Sequence, residues 1–74
     1  MKATLERVYV EGMHIRTLTA RNLRNSIAAD RAVFQTAAKS IQYKTELLKL
    51  IKRGKNLGQS ATDADILKIM RRCK

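Results

Sequence analysis

The chain has no proline and no tryptophan, and its 74 residues hold only three glycines, one cysteine, one histidine and one phenylalanine. Each scarcity excludes something. A single cysteine, Cys73, cannot close an internal disulfide, which fits a reducing compartment, and the cytoplasm is the expected location. One histidine, His14, plus one cysteine without supporting spacing make no metal site, so neither metal nor cofactor is expected. The glycines build no phosphate-cradling loop, because segment 53–58 (RGKNLG) lacks the Walker spacing and the strand before it. Acidic residues number six, and none forms a recognisable acid–base pair; no catalytic residue is assigned, and the chain is expected to be a non-enzyme. Two tyrosines, Tyr9 and Tyr43, are a poor stacking platform for single strands once Phe34 is assigned to the core. No apolar stretch approaches the roughly 18 residues that span a bilayer, and Met1 to Gly12 lacks the continuous apolar stretch of a signal peptide, so no membrane partner is expected.

Positive charge is abundant. Sixteen lysines and arginines against six acids give a formal net charge of +10 and an isoelectric point near 10.5. Such a field concentrates polyanions, with nucleic acid as the first expectation. At 45%, the apolar content is too high for a disordered basic tail, so the chain should fold, as one domain spanning 1–74. A domain this short buries only about 60% of the surface its unfolded chain exposes, and forming a homodimer would add to that.

From Met13 to Arg53 the chain runs without glycine or proline, and within that run Ala20, Ile27, Phe34, Ile41 and Leu48 recur every seventh residue. This spacing predicts a long amphipathic helical segment, with Thr17 or Thr19 as its N-cap. The companion row reads Leu23, Asp30, Ala37, Lys44, Ile51, and two charges in a coiled-coil seam would be costly. The segment is therefore expected to break, as helices of about Thr19 to Ala29 and Asp30 to Arg53 with Asp30 as the second N-cap, or to cross a partner only partway. Val33, Leu47 and Leu50 widen the apolar stripe and favour a globular bundle. Gly54 is the expected C-cap, Gly58 marks a loop, and Thr62 with Asp65 resembles a capping box opening a last helix to Cys73. Before the helices, Val8 to Val10, a turn at Glu11-Gly12 and an extended run from His14 to Thr17 suit a β-hairpin; a short helix broken at Gly12 is the competing reading. The expected fold is mainly α: a small bundle of two to three helices with a long central helical segment and, on the first reading, a short N-terminal hairpin.

The outward faces of the long segment carry Arg21, Arg24, Arg31, Lys39, Lys49, Lys52 and Arg53 against a lone acid, Glu46. Solvated faces usually mix both signs, so this imbalance points to phosphate binding. With Lys55 added, these residues form the candidate nucleic-acid-binding set. Lys49, Lys52, Arg53 and Lys55 also suit a helix C-terminus for reasons of the dipole alone, as do Lys68, Arg71, Arg72 and Lys74 at the end of the last helix. Neither Gly54 nor Gly58 gives helix-turn-helix spacing; a ribbon-helix-helix dimer, with Val8 to Val10 as its strand, is the runner-up architecture. The alternative function is a small regulatory or inhibitory protein, of the economy seen in phage-encoded inhibitors, that binds an acidic protein surface on a polymerase or nuclease through exposed apolar residues such as Tyr43 or Leu50.

Overall fold

The computed structural model describes residue 5 and residues 7–33 and 37–73. Two short antiparallel strands, β1 (Tyr9–Val10) and β2 (Met13–His14), pair Tyr9 with His14 and Val10 with Met13. The turn between them holds Glu11 at φ 51° and Gly12 at φ 80°. Left-handed backbone at both central positions is what a two-residue hairpin of the I′ type requires, and it suits the right-handed twist of the strands. The hairpin reading is the one the structure adopts, but its second arm stops early: Ile15–Thr17 is a turn of 3-10 helix rather than extended chain, capped by His14.

The long segment is divided. Helix α1 (Ala20–Arg31) starts at Thr19, whose hydroxyl accepts from the Asn22 amide at 3.2 Å, and α2 (Ala38–Leu50) follows after a break. Asp30 does not cap the second helix, as its position suggested; it lies in the last turn of α1 and its carboxylate is engaged elsewhere. Nor does α2 reach Gly54. It ends at Leu50, and Gly54, at φ 81°, sits in a tight turn in which the Lys55 amide donates to the Lys52 carbonyl at 3.1 Å. Then comes an element the sequence did not announce, the single-turn helix α3 (Leu57–Ser60), followed by α4 (Asp63–Arg72). The expected capping box opens α4, with the Asp65 amide donating to Thr62 and the Thr62 amide donating to Asp65, both at 3.2 Å.

Each element contributes to one core. Val10 from β1, Ile15, Leu18, Leu23 from α1, Leu47 from α2, Leu57 from α3 and Ile66 and Ile69 from α4 pack together with Leu5 and Cys73. The heptad row is a weaker guide to this core than its regularity suggested. Ile27 is buried, but Ala20, Ile41 and Leu48 are half-exposed, and Phe34 lies outside the described residues. The buried line on α2 runs instead through Lys44 and Leu47, so the helix is rotated to take a lysine inward. The strand of the runner-up ribbon-helix-helix reading, Val8 to Val10, contributes Tyr9 and Val10 to a pairing with β2 of the same chain.

Candidate nucleic-acid interface

Part of the chain's charge is already spent inside the fold. Lys44 Nζ sits 2.7 Å from Asp30 Oδ2 and 2.9 Å from Glu11 Oε1, and Ser40 Oγ donates to the same Asp30 oxygen at 2.8 Å. The two residues that would have spoiled a coiled-coil seam are therefore each other's partners. The Lys44 side chain is only 6% exposed and that of Asp30 15%. Burial pushes the Asp30 carboxyl up, but the bonds from Lys44 and Ser40 outweigh it and hold the group below the usual carboxylate range. Burial likewise pushes Lys44 down, and its two carboxylate partners more than restore it, raising it above the ordinary lysine value. Glu11 is lowered by its hydrogen bond and charge contact with Lys44. An ammonium held this way is a structural cation and not a proton acceptor.

The remaining acids among the described residues are also taken. Asp63 pairs with Arg16 at 2.5 Å, Glu46 bridges Arg72 at 2.7 Å and Lys49 at 3.5 Å, and Asp65 closes the capping box. Against this, Arg21, Arg24, Arg31, Lys39, Lys52, Arg53 and Lys55 are exposed and make no ion pair among the described residues. Lys49 is exposed with one long contact to Glu46.

The structure changes how these cations are arranged. At about 100° per residue, Arg21, Arg24 and Arg31 share one outward face of α1. Lys39 and Lys49 lie on the outward side of α2, near its two ends. Lys52, Arg53 and Lys55 are not on a helix at all but in the turn after α2, which corrects the expectation of a cluster on a helix C-terminus. The single stripe of the sequence is thus broken into pieces on three separate elements. Of the last-helix cations, Arg71 and Arg72 complement the C-terminal end of α4, and Lys74 lies outside the described residues.

No family model, curated protein or solved structure matches this chain.

Other candidate surfaces offer less. An open cleft of about 240 Å³ is lined by Tyr9, Val10, Glu11, Ser40, Tyr43 and Lys44, but its charged and hydroxyl groups from Glu11, Ser40 and Lys44 are bonded to one another or to Asp30. Tyr43 and Leu50, named above as exposed anchors for a protein partner, are half-buried and packed on the core. Among the described residues, the large apolar side chains that do stand in solvent are Tyr9 and Val33. No group of three His, Cys, Asp or Glu residues among those described could hold a metal ion, and no described helix is long and apolar enough to cross a membrane.

Proposed function

We propose that this chain is a small non-enzymatic nucleic-acid-binding protein that contacts the phosphate backbone with lysine and arginine. One observation carries the reading: every acid among the described residues is bonded within the fold, while seven of the eight candidate cations face solvent with no acidic partner there. Most of this positive charge meets no acid among the described residues, and phosphates are its natural counter-ions. The scarcity of exposed aromatics favours backbone contact over base reading. A docking site on an acidic protein surface, the alternative class, would need a cluster of apolar anchors, and the half-burial of Tyr43 and Leu50 weighs against it.

Fluorescence polarisation against duplex DNA, single-stranded DNA and structured RNA tests the reading. With about six phosphates engaged, the logarithm of affinity falls with the logarithm of salt concentration at a slope of about −5 on duplex DNA. A slope near zero, or no binding at about 50 mM salt, refutes it.

A further inference from the structure

The hairpin of α1 and α2 is closed at both ends, and the two closures differ in charge. At one end lies the connection from Arg31 to Ala38. At the other, the chain leaves α2 at Leu50, passes through the Lys52–Lys55 turn and returns to the start of α1. There Thr19 and Asn56 form an antiparallel bridge, and the Leu57 amide donates to the Leu18 carbonyl at 2.8 Å. Thr19 caps α1 and Asn56 directly follows Lys55, so the basic turn ends beside the start of α1. That first turn carries Arg21, with Arg24 next along the same face. Because α2 runs back along α1, Lys49 in its last turn belongs to this end too.

Six of the eight candidate cations thus gather at one end: Arg21, Arg24, Lys49, Lys52, Arg53 and Lys55. Arg31 and Lys39 lie at the other, about 10 to 15 Å away along the helix axes at roughly 1.5 Å per residue. That separation exceeds the Debye length of about 8 Å at physiological ionic strength, so the distant pair adds little to the field at the crowded end.

We propose that the phosphodiester backbone of a nucleic acid docks at this end of the hairpin, across the Lys52–Lys55 turn and the first turns of α1, and not along the length of the helices. The inference rests on the nucleic-acid reading above and locates it. The turn is tied down before any ligand arrives: the Lys52 amide donates to Ser60 Oγ at 3.2 Å, the Lys55 amide closes the turn, and the bridge to Thr19 fixes its exit. A pre-ordered basic turn loses less entropy on binding than a floppy one. Of the described acids, Glu46 meets Lys49 at 3.5 Å but is shared with Arg72, while Asp63 is held by Arg16 and Asp65 by Thr62, so five of the six cations keep no acidic partner among the described residues.

Two double charge reversals decide the matter, R21E/K55E at the crowded end and R31E/K39E at the other. Each lowers the formal net charge by four, from +10 to +6, so the overall field changes equally and only location differs. All four residues are exposed, and thermal melts confirm that both variants fold. Polarisation titrations use one duplex DNA and one structured RNA of equal length. The expected result is a roughly 100-fold loss of affinity for R21E/K55E, with the salt slope on duplex DNA shrinking from about −5 to about −3.5, and less than about a 5-fold loss for R31E/K39E. Which probe binds names the source of the phosphates; the contrast between variants locates the surface on either. Equal losses, or a larger loss from R31E/K39E, overturn the inference and leave the nucleic-acid reading standing. No binding by the unmodified protein at about 50 mM salt removes both.

Discussion

Two adjacent residues, Tyr43 and Lys44, show how differently a polar group can be buried. Lys44 is buried between two carboxylates, and truncating it leaves Asp30 as a largely buried carboxylate with Ser40 as its remaining partner. Lys44→Ala is expected to cost about 3–5 kcal/mol in urea unfolding, whereas the double change Lys44→Met with Asp30→Leu comes out near neutral, because it removes both charges together. Glu11, more than half exposed, simply returns to water in either case. Titration gives the same trio a pH window. Asp30 and Glu11 are lowered, so their contribution is present above the ordinary carboxylate range and is lost as pH falls through their folded values. Lys44 is raised, so its contribution is complete below the ordinary lysine value and is lost as pH rises through the folded one. Tyr43 is the opposite case: its hydroxyl is buried with no hydrogen-bond partner among the described residues, and burial, with the Cys73 thiol nearby, pushes it up to about 12. A raised tyrosine favours the folded state below its unfolded value near 10, and this advantage drains away as pH climbs towards 12. Tyr43→Phe is expected to be neutral or mildly stabilising at pH 7, since it deletes an unsatisfied group. Its melting temperature should then pull ahead of the parent's as pH passes 10, which melts at pH 8 and pH 11 would read.

Among the elements, the short helix α3 is the one whose sequence signal was hidden. Four residues give no periodicity to detect, and Gly58 reads as loop punctuation. In fact Gly58 has ordinary backbone angles and is needed for proximity: a Cβ there would stand 2.9 Å from the Arg16 carbonyl oxygen and 3.1 Å from Arg16 Cβ. The single turn of α3 thus lies flush on the 3-10 turn at Ile15–Thr17. Gly58→Ala is expected to cost about 1–3 kcal/mol by forcing the two turns apart, measured as a lower urea midpoint. Elements with chemical markers were legible: the Thr19 cap, the Thr62–Asp65 box and the Glu11-Gly12 turn all stand where the residues placed them. The ends of α1 and α2 were not, because Asp30 carries the same local signal whether it caps a helix or pairs with a lysine fourteen residues later. Only the partner distinguishes these, and the partner is a tertiary fact. The candidate interface divides in the same way. Its residues were readable as a charge imbalance, but their gathering at one end depends on the Thr19–Asn56 bridge, which no local pattern encodes.

For the molecule as a whole, a net charge of +10 on 74 residues opposes compaction, since like charges are brought closer in the folded state. Raising salt from about 20 to about 300 mM is expected to increase the melting temperature by a few degrees, because it screens exposed cations far more than the enclosed trio. A melting temperature that falls over this range would mean that surface ion pairs such as Arg16–Asp63 and Arg72–Glu46 outweigh the repulsion. The enclosed trio has a further effect on the architecture. A slide of α2 by one helical turn against α1 would bring Ser40 or Leu48 to where Lys44 now stands, and neither can neutralise Asp30. Apolar contacts between two small helices tolerate such slippage; an ammonium with two fixed carboxylates does not. Lys44 thereby acts as a key cut for one alignment of the two helices.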